Sequence, residues 1–135
     1  MNNIKIKESP LFWPVKLVGN GPASPARQGG RDRSLRVLDE TLLPGKLEYI
    51  KVRNTQESVD VIRQMKTRAF GQFLVVLNTF LMEIHNVETG SKPVSTEMLL
   101  NKIKTTAEAL NKSRPTFPFS EVTGPVVHWA EKAVE

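Results

Sequence analysis

Arg68 is the residue whose type and position most favour binding chemistry. A charged amphipathic segment passes through Thr67 and Arg68 into the most apolar run of the chain, so the sequence predicts a junction between two helices there. The first backbone N–H groups of a helix have no partner within that helix, and a guanidinium can hold an oxyanion through two parallel hydrogen bonds. An anion at this junction could therefore meet both kinds of donor.

A second group of arginines lies in residues 19–34, a stretch rich in Gly, Pro and Ser that has no periodicity. This composition predicts a mobile loop, and its Arg27, Arg31 and Arg33 could wrap a phosphate or a nucleic acid. No aromatic residue is interleaved with them to stack on bases, and no Gly-Lys-Ser/Thr follows the glycines as it does in a P-loop. A solvated loop is therefore the favoured interpretation, and nucleic acid is not an expected partner.

The acidic residues and the histidines form no recognisable catalytic set. Asp39 and Glu40 are adjacent, and neighbouring side chains on a strand point to opposite faces, so turn hydrogen bonding is expected of them rather than paired acid–base work. His85 and His128 lie on predicted helices without a cluster of Asp, Glu or His at ligand spacing. The sequence accordingly predicts no catalytic residue, no metal site and no cofactor in this chain.

The composition is typical of a small globular protein. Its 135 residues, 39% of them hydrophobic, suffice for one domain with a modest core. The longest apolar run is interrupted by Gln72, Asn78 and Glu83, so no membrane span is expected, and residues 1–10 lack the apolar stretch of a secretory signal. The absence of cysteine fits a cytoplasmic location, and the net charge of +5 favours anionic partners.

Short alternating segments predict a small antiparallel sheet within residues 1–53. Residues 4–7 and 15–18 each have the pattern of a strand, and Trp13 is expected to pack against the edge of the sheet. Two more strands are expected between Leu35 and Val52. The later one should begin at Leu47, because Pro44-Gly45 marks a turn before it.

Residues 54–135 carry the pattern of about four helices, of which the second is the most apolar. Asn54 or Thr55 is expected to cap the first helix, which should end near Lys66. The second helix should bury a stripe at three- and four-residue spacing, made of Phe70, Phe73, Leu74, Leu77, Phe80, Leu81 and Ile84.

The last two helices complete the predicted bundle. A turn over residues 86–93 precedes a third helix, which Ser95 or Thr96 can cap, and the fourth should begin at Pro125, since proline is favoured in the first helical turn. The predicted fold class is therefore α+β, mainly α. A β-rich part, residues 1–53, is followed by a helical bundle, residues 54–135, in a single domain.

Three stretches of the chain together resemble one protein superfamily. Residues 38–44 (LDETLLP) are similar to the L-D-Q-T-x-L-P segment near the start of methylthioribose-1-phosphate isomerases. Residues 62–71 (IRQMKTRAFG) resemble their I-x-x-M-x-V-R-G-A-P-A-I-G segment and the R-G-A-G-K-I-A form of ribose-1,5-bisphosphate isomerases. Residues 109–116 (ALNKSRPT) resemble the L-x-x-x-R-P-T element that these enzymes share with the alpha, beta and delta subunits of translation initiation factor 2B. The order and separations of the motifs also agree.

The resemblance implies an N-terminal domain that lies over a larger Rossmann-like domain, which this chain lacks. In the isomerases the catalytic cysteine and aspartate belong to that second domain, and the N-terminal domain lends arginines to the substrate phosphate. The matching positions are Arg68 and Arg114, with Gly71 where the ribose-1,5-bisphosphate form has glycine. The resemblance thus implies a domain that is inactive alone and covers the substrate of an intramolecular aldose–ketose isomerase.

The same resemblance leaves a regulatory alternative open. In a protein like the initiation-factor subunits, the helical domain would recognise another protein, and Arg68 and Arg114 would be ordinary surface or interface charges. Structural salt bridges of the two arginines are a further alternative. The expected partners are therefore a Rossmann-like domain or a partner subunit, with a sugar phosphate as the expected ligand, and self-association is left open.

Overall fold

The computed structural model describes residues 13–19, 33–89 and 93–134, which form three strands followed by four helices. The strands are β1 (Val15–Gly19), β2 (Arg33–Leu38) and β3 (Tyr49–Val52), and the helices are α1 (Thr55–Arg63), α2 (Ala69–Glu88), α3 (Thr96–Ser113) and α4 (Ser120–Ala133). This confirms the predicted α+β, mainly α, fold class. The predicted strand at residues 4–7, together with Arg27 and Arg31, lies outside the described residues.

The strands form an antiparallel sheet in the order β1-β2-β3. Val37 in the central strand pairs with Val15 on one side and with Ile50 on the other. Leu35, Val37 and Val52 are fully buried because one face of the sheet packs against the helices, chiefly α2. The sheet therefore supplies a platform on which the most apolar helix lies.

Two boundaries of the predicted sheet were wrong. Gly19 pairs with Arg33, so both residues belong to strands and not to the predicted mobile loop 19–34. The Asn86 side chain extends this pairing, since it accepts from the Arg33 N–H at 2.7 Å and donates to the Arg33 carbonyl at 3.0 Å. Leu47 was expected in the last strand, but β3 begins at Tyr49 and Leu47 is exposed.

Helix α1 begins as predicted and ends earlier. The Asn54 side chain accepts a hydrogen bond from the Glu57 N–H and caps the helix. The helix ends at Arg63 instead of near Lys66, because Met65 adopts a left-handed conformation with φ of 53°. The Met65 N–H then bonds the Ile62 carbonyl and the Lys66 N–H bonds the Val61 carbonyl, which is the hydrogen-bond pattern of a Schellman motif. This turn directs the chain towards Arg68.

The stripe predicted for α2 is buried only in part: Phe80 is buried, and Phe73, Leu74 and Ile84 are partly buried against the core. Phe70, Leu77 and Leu81 are exposed, whereas the polar Gln72 and Thr79 are fully buried. Because α2 is apolar on nearly every side, hydrophobicity alone does not choose its inner face, and polar partners do. The Trp13 side chain, which was expected to pack against the edge of the sheet, is 58% exposed. No helix in the described part of the chain is long and apolar enough to cross a membrane.

The end of the bundle differs from the prediction at one point. Ser95 caps α3 as expected, accepting from the Met98 N–H at 3.1 Å. Helix α4 begins at Ser120, not at Pro125, which lies inside the helix. Phe119 is fully buried and the Thr123 hydroxyl donates to the side chain of Asn111 in α3 at 2.8 Å, so contacts across the bundle draw the earlier residues into α4.

Candidate oxyanion site

The chain enters α2 through a short extended segment that Glu40 holds. The Glu40 carboxylate accepts hydrogen bonds from the Thr67 hydroxyl and from the Arg68 backbone N–H, both at 2.5 Å. Arg68 occupies the N-cap position of α2, with an extended backbone and no capping bond from its side chain. The junction predicted at Arg68 is therefore present, and a carboxylate from the connection between β2 and β3 fastens it.

The first turn of α2 presents free backbone donors. Within the described residues, the N–H groups of Ala69, Phe70 and Gly71 donate to no acceptor, and the first bond of the helix runs from the Gln72 N–H to the Arg68 carbonyl at 2.8 Å. Ala69 and Phe70 are exposed. A helix terminus of this kind carries a partial positive charge and can bind an anion.

Arg114 reaches the same turn from the end of α3. Its Nη1 donates to Gln72 Oε1 at 2.8 Å, and its guanidinium carbon lies 4.3 Å from the centroid of the Phe117 ring. Phe117 in turn packs against Phe73 and Phe119, with centroid separations of 5.1 Å and 5.3 Å. The guanidinium is thus held by a hydrogen bond at its edge and by an aromatic ring against its face.

Gln72 connects the two halves of the site. Its side chain is fully buried, and its Nε2 donates to the Thr67 carbonyl at 2.9 Å and to Met65 Sδ at 3.2 Å. Its Oε1 accepts from Arg114, which lies 42 positions further along the chain. One side-chain amide therefore ties the end of α3 to the segment that carries Arg68.

The structure brings Arg68 and Arg114 to the same end of α2. Among the described residues no carboxylate pairs with either guanidinium, and no hydrogen bond or ion pair involves the Arg68 side chain, which is exposed. Gly71 lies in the turn between them. A Cβ at Gly71 would lie 1.8 Å from Thr67 Oγ1, so close packing against Thr67 explains why glycine is needed there.

Asp39 and Lys66 complete the charged surroundings of the junction. The hydrogen bond from the Thr41 hydroxyl lowers the pKa of the Asp39 carboxyl below its usual value. The bond from the Thr41 N–H and the ion pair with Lys66 act in the same direction, against the effect of burial. Asp39 therefore stays ionised and caps the short 3-10 helix Glu40–Leu42. The turn role expected of Asp39 is confirmed, and Glu40 instead holds the start of α2.

Gln72 and Glu40 are the site residues that sequence reasoning missed. Gln72 interrupts the most apolar run of the chain, and a polar side chain in such a place is buried only with hydrogen-bond partners. That interruption was a usable signal for a polar contact. For Glu40 no local pattern indicates bonds to residues 67 and 68, since these contacts span 27 and 28 positions.

The donors gathered at this end of α2 are of the chemical kind that oxyanions accept. Guanidinium groups and backbone N–H groups are donors that keep their protons at neutral pH, so they hold and orient a ligand and do not accept a proton from it. In the described ranges no three His, Cys, Asp or Glu side chains gather where they could hold a metal ion. The described residues thus form an α+β, mainly α, fold in which two arginines lie at the same end of α2 as backbone N–H groups without a partner.

Comparison with known proteins gives one curated relative with sugar-phosphate chemistry in its name. The chain is similar to the methylthioribose-1-phosphate isomerase of Verticillium alfalfae, with 33% identity over 85 residues. The matched part is 62% of this chain and 21% of the isomerase, so the chain spans about a fifth of the length of the curated relative it matches. No protein-family profile matches the chain, and no solved structure matches it. The relative belongs to the superfamily that the three sequence motifs resemble.

Proposed function

We propose that this chain is the N-terminal, substrate-covering domain of a sugar-phosphate isomerase-like protein, in which Arg68 and Arg114 bind the substrate phosphate. The observation that carries the proposal is the hydrogen bond from Arg114 to Gln72. Arg114 and Arg68 belong to two different motifs. The bond joins Arg114 to the first turn of α2, which Arg68 directly precedes. A phosphate there would meet guanidinium groups and the free N–H groups of Ala69, Phe70 and Gly71.

The similarity to a protein named methylthioribose-1-phosphate isomerase supports a phosphorylated sugar as the ligand class. Because the match covers about a fifth of that protein, we propose that the chain is inactive alone and works with a second body. That body would be a Rossmann-like domain or a partner subunit in the cytoplasm. The complete protein would be an intramolecular aldose–ketose isomerase.

In such an enzyme the role of this domain is electrostatic and steric. Donors fixed before the ligand arrives stabilise the phosphate without reorganising, and a domain that closes over the substrate excludes water from the reacting carbons. The second body would carry the groups that move the proton or hydride. The exposure of Arg68, Ala69 and Phe70 leaves this face open to such a partner.

Titration with inorganic phosphate tests the binding role. We expect the amide resonances of residues 69–71 and the Arg114 side-chain resonances of the 135-residue chain to shift with added phosphate. Arg68→Gln and Arg114→Gln should each raise the dissociation constant by about tenfold, the equivalent of one charge-assisted hydrogen bond. Arg36→Gln is the matched control, since Arg36 is exposed in β2 between two buried residues. The absence of any shift up to about ten millimolar phosphate would remove the proposed role.

A regulatory protein-binding module, like the initiation-factor 2B subunits, is the second candidate, and the exposed side of α2 favours it. Phe70, Leu77 and Leu81 are 67%, 42% and 55% exposed and recur at the spacing of one helix face. A contiguous apolar face in solvent commonly marks a contact surface. Under this candidate phosphate produces no shifts at residues 69–71, and Leu81→Glu, in contrast to Arg114→Gln, abolishes binding to a co-expressed partner subunit.

A further inference from the structure

We propose that Gln72 is a positioning residue, which orients the Arg114 guanidinium towards the phosphate without neutralising its charge. The inference rests on the proposed phosphate role. It assigns a function to a residue other than Arg68, Gly71 and Arg114, which the sequence motifs indicated. It comes from the hydrogen bonds of a single buried amide.

The orientation of that amide follows from its partners. Gln72 Nε2 faces the Thr67 carbonyl at 2.9 Å, which can only accept, and Gln72 Oε1 faces Arg114 Nη1 at 2.8 Å, which can only donate. If the amide were turned over, its oxygen would face the Thr67 carbonyl oxygen and its N–H group would face the N–H of Arg114. Met65 Sδ, at 3.2 Å from Nε2, adds a second acceptor on the same side. The Gln72 oxygen is therefore fixed where it receives the guanidinium.

An amide oxygen suits this task better than a carboxylate would. A carboxylate of Asp or Glu that holds an arginine orients the guanidinium and also cancels much of its charge. Gln72 supplies the same acceptor geometry without a charge. Among the described residues, the other N–H groups of the Arg114 guanidinium have no acceptor. They stay available to an oxyanion, with the positive charge intact.

Phe117 supports the guanidinium from a second direction. The ring lies under the Arg114 guanidinium at 4.3 Å, and its own place is set by packing against Phe73 and Phe119. A side chain held at its edge and its face has lost most of its rotamer freedom before a ligand binds. The ordering cost of a long side chain, about 0.5–1.5 kcal/mol on binding, is then largely avoided.

Two substitutions at position 72 separate orientation from charge. Gln72→Met keeps the volume and removes the acceptor, so Arg114 should become disordered and the dissociation constant for inorganic phosphate should rise about tenfold. Gln72→Glu, like Gln72→Met, removes the donor to the Thr67 carbonyl, but it keeps an acceptor for Arg114 and adds a negative charge. In Gln72→Glu, Arg114 should stay ordered, while the dissociation constant for phosphate should rise at least as much as in Gln72→Met. The Arg114 Nε–Hε resonance reports order, and the titration reports affinity.

Gln56→Met is the control, and three outcomes would overturn the inference. Gln56→Met makes the same chemical change at an exposed position in α1 and should alter neither measurement. Unchanged phosphate affinity in Gln72→Met, with Arg114→Gln still weakened, would overturn the positioning role and leave the phosphate site standing. Loss of affinity in Gln72→Glu accompanied by loss of the ordered Arg114 resonance would reduce Gln72 to a structural residue and so overturn the inference. No binding by the unmodified chain would overturn the phosphate role, and the positioning role with it.

Discussion

Gly71→Ala is the substitution whose effect the structure determines most sharply. The added Cβ would lie 1.8 Å from Thr67 Oγ1 and 3.0 Å from Thr67 Cβ, whereas non-bonded heavy atoms pack at about 3.5 Å. Thr67 is fully buried and its hydroxyl donates to Glu40 at 2.5 Å, so the side chain cannot turn aside without breaking that bond.

The expected size follows from three terms. Forcing a methyl group into a packed site costs about 1–3 kcal/mol, and losing a hydrogen bond to a charged group costs about 1.5–3 kcal/mol. The higher helix propensity of alanine offsets about 1 kcal/mol of this. The free energy of unfolding of Gly71→Ala should therefore fall by about 1.5–5 kcal/mol.

Urea unfolding followed by circular dichroism measures this change. Gly124→Ala is the matched control, because Gly124 lies in α4 with no atom within 4 Å of an added Cβ, and alanine should raise stability there by up to about 1 kcal/mol. In a Thr67→Ala background the cost of Gly71→Ala should shrink by about 1 kcal/mol or more, since the clashing oxygen is gone. A Gly71→Ala chain as stable as the unmodified one would refute the packing argument.

Three further predictions concern strain and charge. Met65→Gly should be about 1 kcal/mol more stable than Met65→Ala by urea unfolding, because both lose the sulfur and only glycine accepts the φ of 53° without cost. Lys102→Met should lower the free energy of unfolding by about 1–2 kcal/mol, because it leaves the buried Glu83 carboxylate without the ammonium group that lies 2.9 Å from it. Lys104→Met, which removes an exposed ion pair, should change the free energy of unfolding by less than about 0.5 kcal/mol. Equal losses would contradict this distinction. Asp39→Asn should lower the free energy of unfolding at neutral pH, because the ionised carboxyl stabilises the chain. The difference in unfolding free energy between the two chains should vanish as pH falls through the depressed pKa of Asp39, below the ordinary value of 3.8. A difference that does not depend on pH would contradict this.

The helix starts that were predicted correctly depend on contacts between residues close together in the sequence. The helix caps at Asn54 and Ser95 are short-range bonds between a side chain and an N–H group three positions later, so the sequence indicates them directly. The start of α4 was wrong for the opposite reason. The local preference of Pro125 for a first turn was outweighed by the burial of Phe119, a contact that depends on the rest of the bundle.

The inner face of α2 shows where hydrophobic periodicity stops being informative. Leu77 and Leu81 fit the predicted stripe and lie in solvent, while Thr79 and Glu83 lie inside. The Thr79 hydroxyl is within 2.7 Å of the Ser58 hydroxyl in α1, and Glu83 accepts from Thr55 at 2.8 Å. Leaving such polar groups buried and unpaired costs more than exposing a leucine, so their partners decide how the helix is rotated.

The sequence indicated the two arginines of the candidate site but not the hydrogen bond that links Arg114 to α2. A helix junction at Arg68 follows from the change of pattern in the sequence, and Arg114 was indicated by the resemblance of residues 109–116 to a known motif. The bond that brings Arg114 to α2 passes through Gln72, 42 positions away in the chain. No periodicity or spacing rule relates residues so far apart, and only the packing of α3 along α2 brings them together.

The charges around the first turn of α2 indicate why the proposed function includes a second body. Arg68 and Arg114 contribute two positive charges, and the Glu40 carboxylate, held at 2.5 Å from the Arg68 N–H, offsets one of them. A phosphate monoester carries a charge of about −1.5 to −2 at neutral pH, so these side chains alone leave it under-neutralised. The exposure of Arg68 weakens its attraction further, because solvent and salt screen it. We therefore expect phosphate to bind the chain alone with a dissociation constant of about a millimolar, and a covering partner with its own donors to supply the rest of the affinity.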